Sequence, residues 1–189
     1  MSPLDKLLWA IIGLLLTIVG TFVPVSVPIP AGSTGELQPL SLGGTYQIGA
    51  VLLVGCLGGR GAAVLSQVTY ILLGLSGLQI FAHGGGVSYF KEPTFGYLLG
   101  FIPGAWICGY LAFQKAARLE FLALSCLGGL SVVHSMGLIY LGLLTLSRSL
   151  NQSWWSAVLE YSIQPLPGQL VLVCLVTVIS FILRRVLFY

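Results

Sequence analysis

The chain is divided into apolar, nearly uncharged runs about as long as a bilayer is thick, and that removes most folds at once. A hydrocarbon core of about 30 Å needs roughly 20 apolar residues per helix. Six segments fit or approach that length: Leu7 to Val23, Gly43 to Leu57, Ala62 to Phe81, Phe95 to Phe113, Leu119 to Leu146 and Pro165 to Phe188. In lipid every backbone N–H and C=O must be satisfied within the protein, so such runs are helices. The second is short enough to tilt or stop early. The fifth is long enough to tilt, or to break near Gly128, Gly129 and Gly137. The expected fold is an all-α integral membrane protein with six transmembrane helices, forming a single transmembrane domain over residues 1–189.

Charge supports this and fixes an orientation. Only 7% of the 189 residues are charged, against about 25% in soluble domains. Lys6, Arg60, Lys115, Arg118, Arg184 and Arg185 fall on one side of the six runs; Lys91 and Arg148 fall on the other. Basic residues stay in the cytoplasm, so both termini are placed there. The net charge of +3 is too small and scattered for nucleic-acid binding. The first run has one basic flanking residue, Lys6, and no small-residue cleavage site after it, so it reads as an uncleaved helix.

The loops at Pro24 to Leu42, Ala82 to Thr94 and Ser147 to Gln164 then face outward. The stretch from Gln79 to Phe101, QIFAHGGGVSYFKEPTFGYLLGF, is a glycine-rich polar hairpin between apolar helices. Irregular backbone at such a place lines a cavity or meets water. Gln47, Gln79, His83, Tyr89, Thr94, Tyr97, Gln164 and Gln169 gather near the outer helix ends. Neutral hydrogen-bonding groups set in apolar walls suit a polar, weakly charged small molecule. The glycines Gly84, Gly85 and Gly86 have three open roles: an anion nest of amides, a fold-down of the loop, or an oxyanion loop after His83. The last lacks its GxSxG elbow. The stretch Asn151 to Ile163 reads as a short interfacial helix with Trp154 and Trp155 as belt residues, or as a pocket lid.

Little points to catalysis or to a bound metal. His83 and His134 are the only histidines and no carboxylates cluster, so no metal site is expected. No cofactor is expected either. Cys56, Cys108, Cys126 and Cys174 lie far apart in apolar runs and read as small hydrophobes. Lys6, Lys91 and Lys115 precede Leu7, Glu92 and Ala116, which excludes a P-loop. A transporter built this way takes its power from partners. Ala10, Gly13, Thr17 and Gly20 form a stripe of small residues on the first helix, suited to a partner helix or to a helix of the same chain. One enzymatic alternative is a rhomboid-like intramembrane protease, with Gly74-Leu75-Ser76-Gly77 as the nucleophile motif and His134 as base.

The hairpin and its flanks resemble the BioY family, the biotin-binding S components of energy-coupling factor transporters. The resemblance rests on Tyr70 with Leu72-Leu73-Gly74, on Gly77-Leu78-Gln79-Ile80-Phe81, on Gly84 to Gly86, and on Pro93-Thr94 with Gly96-Tyr97-Leu98-Leu99-Gly100-Phe101. Pro165-Leu166-Pro167-Gly168 resembles the start of a second signature. There the family usually continues with Asp and, three residues later, Lys; this chain has Gln169 and Leu172.

The resemblance implies a non-enzymatic subunit of the bacterial plasma membrane that captures biotin outside. A membrane T component and two cytoplasmic ATPases would then drive its release inward. Another vitamin is the alternative ligand. Biotin would be enclosed by Gln79, Phe81, His83, Gly84, Gly85, Gly86, Tyr89, Lys91, Thr94, Tyr97, Phe101 and Gln169, with Trp106 against the ring. Gln169 or Gln79 suits the ureido group. Lys91, the glycine amides or the positive end of the sixth helix would meet the carboxylate. Ala10, Gly13 and Thr17 would dock the partner.

Overall fold

The computed structural model describes residues 2–31, 36–148 and 152–187. Asn151 and Phe188, which bounded two expected segments, lie outside the described residues, as do residues 32–35 of the first outer loop. Helix α1 (Pro3–Phe22) opens on a capping box: Ser2 Oγ accepts from the Asp5 amide and Asp5 accepts from the Ser2 amide, with Pro3 in the first turn. The loop after α1, expected to face outward, is an antiparallel hairpin, β1 (Pro24–Ala31) on β2 (Glu36–Thr45). This adds a strand pair to a fold expected to be all-α. Pro24, Pro28 and Pro30 alternate with Val25, Val27 and Ile29. A two-stranded sheet has only edges, where a missing proline N–H can face outward.

Helix α2 (Gln47–Leu75) covers the second and third expected segments as one element, and it reverses in the middle. Gly59 leaves the helix with φ 72° and ψ 174°. Gln47 Nε2 donates to the Tyr70 hydroxyl at 2.9 Å. In a straight helix those residues would be roughly 34 Å apart. The two halves therefore run back along each other, and the positive φ explains why the Gly-Gly-Arg-Gly turn works. After a loop and a 3-10 turn (Val87–Lys91) come α3 (Phe95–Ala112) and α4 (Leu119–Leu146). A short α5 (Trp154–Val158) continues through a π turn (Leu159–Ile163) to α6 (Leu166–Leu187). Among the described residues five helical segments are long and apolar enough to cross a membrane.

Lipid gives apolar faces no reward for leaving water, so helices associate through close packing and hydrogen bonds between them. Glycines provide the closeness. A Cβ on Gly104 would meet the Gly129 carbonyl and Val133; one on Gly109 would strike the Arg60 backbone. Helix α4 does not break at its glycines, which instead receive α3. Hydrogen bonds join α1 to α2: Gln67 Nε2 donates to Thr17 Oγ1 at 3.1 Å, and Thr21 meets the Tyr70 hydroxyl at 3.1 Å. Such bonds are worth about 0.6–2 kcal/mol each in a membrane.

The stripe of Ala10, Gly13, Thr17 and Gly20 is buried on this seam. A Cβ on Gly13 would meet Val54 and Ser66 at 2.9 and 3.0 Å. The face expected to dock a partner is thus taken by the chain's own second helix. The rest of α1 exposes Leu8, Ile11, Leu15 and Val19, a lipid-facing surface.

Candidate functional site

Tyr70 is the hub from which the site is built. Its ring is fully buried. Its hydroxyl donates to the Ile80 carbonyl at 2.9 Å and accepts from Gln47. That ties α2 to the polar hairpin. Phe81 then fills the space over Gly74, where any Cβ would overlap its ring, and sits edge-on to Tyr70 with centroids 5.3 Å apart. Phe81 and Gly84 exchange backbone hydrogen bonds at 3.0 and 3.1 Å, and the Gly86 amide donates to the Gly74 carbonyl at 2.8 Å. Of the three roles open to the glycines, the fold-down is the one seen. The Gly84 amide is spent on Phe81 and the Gly86 amide on Gly74 of α2, so neither is free for an anion nest.

Behind this plug, helix ends and loops converge on a cavity of about 200 Å³. Gly44, Thr45, Gln47 and Ile48 close one side, and Tyr89, Thr94, Tyr97 and Phe101 form another. Val133, Glu160, Tyr161, Pro165 and Gln169 complete it. Tyr97 and Phe101 are one helical turn apart on α3 and so share a face. On another face of the same helix, Gly96, Gly100 and Gly104 admit Tyr140, Met136 and Val133 of α4. Strand β2 lies so close to the start of α6 that a Cβ on Gly168 would strike the Gly43 carbonyl. Tyr89 and Thr94 pair through their hydroxyls at 3.2 Å. Burial raises the Tyr89 phenol above its ordinary pKa, so it remains a neutral donor.

A polar chain runs behind the wall. The Tyr97 hydroxyl is 2.5 Å from Ser162 Oγ, Ser162 Oγ is 3.3 Å from His134 Nδ1, and His134 Nε2 is 2.6 Å from Gln169 Oε1. Gln169 Oε1 can only accept, so His134 Nε2 carries a proton. Ser162 Oγ bridges Nδ1 and the Tyr97 hydroxyl, and a hydroxyl can donate to the one and accept from the other. Two amides thus reach the cavity with opposite ends engaged: Gln169 by its carbonyl and Gln47 by its NH2.

Of the residues expected to enclose a ligand, Tyr89, Thr94, Tyr97, Phe101 and Gln169 line this cavity. Phe81 is buried one layer behind it, against Tyr89. Gln79, His83 and Lys91 are exposed. Gly84, Gly85 and Gly86 shape the loop. Trp106 is stacked on Tyr110 and does not line the cavity. Thr45, Glu160 and Tyr161 in the wall and Ser162 behind it are not among the residues expected to enclose a ligand, though the last three lie in the stretch that could form a lid. From sequence His134 is expected only as a protease base. The stretch around Trp154 contains a short helix with Trp154 and Trp155 exposed, and Glu160 and Tyr161 after it wall the cavity.

The other polar constellations carry less. Ser76 Oγ is exposed and donates to the Leu73 carbonyl, and both His134 nitrogens engage Ser162 and Gln169. No Ser76–His134 dyad forms. Cys56, Cys108 and Cys126, though far apart in sequence, meet in the bundle; Cys56 Sγ lies 3.7 Å and 3.5 Å from the other two. Among the described residues they are the nearest approach to a metal-ligating set. Each is sealed at 0% exposure within the apolar core, where thiols pack as small hydrophobes. A larger hollow of about 610 Å³ lies by the Gly59 turn, lined by Lys6, Arg60, Tyr110 and glycine backbone. It lacks the paired amides of the smaller cavity.

The chain matches the BioY family over residues 1–188. It is 30% identical over 182 residues to an uncharacterized 21.2 kDa protein of Cyanophora paradoxa, covering 96% of this chain and 95% of that one. It is 34% identical over 142 residues to a probable biotin transporter BioY of Lysinibacillus sphaericus, covering 74% of this chain and 66% of the other. A biotin transporter BioY of Thermotoga maritima is 39% identical over 98 residues, covering 51% of this chain and 57% of that protein. Among solved structures, the S-component for biotin from an ECF-type ABC transporter superposes with a TM-score of 0.71 at 21% identity, over 98% of this chain and 95% of that one. Its fold, its motifs and its match along nearly the whole sequence place this multi-pass membrane protein in the BioY family.

Proposed function

We propose that the chain is a biotin-capturing S component that spans the bacterial membrane six times, with both termini cytoplasmic. The reversal at Gly59 supports six crossings by five helical segments. Relatives described as biotin transporters and the fold of an ECF S-component support the ligand and the module. The observation that carries the reading is the pair of amides on one cavity. Gln47 turns its NH2 to Tyr70 and leaves its carbonyl unengaged; Gln169 turns its carbonyl to His134 and leaves its NH2 unengaged. A cyclic urea both donates and accepts, so it matches that pair. Tyr97 and Phe101 supply flat walls for the ring.

A cavity of about 200 Å³ is smaller than the ~300–1,000 Å³ usual for drug-sized ligands. It takes the ring system and leaves the valerate chain at the mouth. Among the lining residues there is no Lys or Arg, and Glu160 is acidic. The carboxylate therefore faces water and is not gripped. Transport inward is driven by a T component and two cytoplasmic ATPases. The face that meets them is not the Ala10–Gly13–Thr17 stripe, which is internal.

Calorimetric titration of the purified protein with biotin, with thiamine and riboflavin as controls, tests this reading. Selective biotin binding is expected. A folded sample that binds another vitamin and not biotin would reassign the ligand.

A further inference from the structure

Resting on that reading, we propose that His134 sets the hydrogen-bond polarity of the cavity. It holds Gln169 with the carbonyl turned toward α4 and the NH2 left for the ligand. The site then selects a ring that presents an acceptor to Gln169, such as a urea carbonyl, over one that presents a donor.

A primary amide by itself has no preferred polarity, since a half-turn exchanges its oxygen and nitrogen. Here Gln169 Oε1 lies 2.6 Å from His134 Nε2. An oxygen that can only accept requires a donor there, and protonated Nε2 is that donor. Ser162 Oγ, 3.3 Å from Nδ1 and 2.5 Å from the Tyr97 hydroxyl, can take either hydrogen-bond role and so accommodates a proton on Nε2. A charged ring would donate from both nitrogens and leave Gln169 unchanged. Among the described residues Gln169 Nε2 makes no hydrogen bond. A carboxylate at this position would offer acceptors alone. The His134–Gln169 pair presents a donor instead. His134 touches no ligand in this account; it is a positioning residue acting through Gln169.

Biotin and 2-iminobiotin separate the two polarities. In the second compound a guanidinium replaces the urea, so the carbonyl acceptor becomes a donor. The full-length wild type, titrated with both, is expected to prefer biotin by about tenfold or more, since a mismatch leaves two donors facing each other. His134→Leu frees the amide to turn, and the ratio is expected to fall to within about threefold of unity. His134→Gln restores a donor and with it the preference. Gln169→Glu keeps the shape but only accepts, so it should prefer 2-iminobiotin.

A wild type that prefers 2-iminobiotin overturns the proposal. So does a folded His134→Leu protein with an unchanged ratio. If His134→Leu does not fold, Gln169→Glu decides alone: retained preference for biotin refutes the assigned polarity. A folded wild type that binds neither compound removes the biotin reading and this inference together. Tight biotin binding with a ratio insensitive to both substitutions removes the inference only.

Discussion

The middle of the bundle and its outer end are built from the same helices by opposite means. In the middle, backbone meets backbone. Gly55 faces Cys108, Gly104 and Gly129 cross, Gly109 lies on Arg60, and three buried thiols fill what remains. At the outer end long polar side chains hold the helices apart. Tyr97, Ser162, His134 and Gln169 link α3, the π turn, α4 and α6 by hydrogen bonds, and a cavity remains in front of them. Close packing is the main glue between helices in lipid. A cavity is therefore cheapest where hydrogen bonds can replace packing, and that place is the wetter end.

The largest break in this contrast should come from filling the middle. Gly104→Leu would press a branched side chain into the Gly129 backbone, and loss of monodisperse protein on size-exclusion chromatography is expected. Gly13→Leu is milder: overpacking against Val54 and Ser66 should cost about 1–3 kcal/mol and lower the melting temperature. Ligand binding by whatever folds should persist. At the outer end the order reverses. Gln169→Leu should lower the ligand-free melting temperature only by the loss of its one bond to His134, less than Gly104→Leu does, but weaken biotin binding by about 5- to 150-fold, the cost of unpaired buried polar groups. Equal affinity by calorimetry would take Gln169 out of the site.

Smaller effects sharpen the account of the mouth. Glu160→Gln should tighten biotin a few-fold at low salt and less at high salt, because it removes a like charge from the carboxylate's path. Biotinamide, which lacks that carboxylate, should not respond. Ser76→Ala should change neither stability nor binding beyond about 0.5 kcal/mol. A large effect there would reopen the proteolytic reading.

Much of the bundle was legible because its signal is local. Apolar runs give the helices, and the positive φ at Gly59 follows from a turn too tight for other residues. The first outer loop was harder. Its prolines forbid helix, but pairing Pro24–Ala31 with Glu36–Thr45 is a contact between segments that no single window reveals. The five cavity residues found from sequence, Tyr89, Thr94, Tyr97, Phe101 and Gln169, lie on or beside recognisable motifs. Gln79, His83 and Lys91 carry the right chemistry but point outward, since Phe81 and the glycines decide how the hairpin folds down. The small stripe on α1 has the right spacing for docking, and spacing does not say which helix arrives. His134 was visible as a residue; its partnership with Gln169, 35 positions away, exists only once α4 and α6 are packed.

The most direct test of the contrast is a structure of the protein with biotin bound. The account predicts the ring system between Tyr97 and Phe101, its urea carbonyl within hydrogen-bond distance of Gln169 Nε2 and its carboxylate at the mouth near Glu160. A ring seated in the hollow by Lys6 and Arg60, or a carboxylate buried against α6, would contradict it.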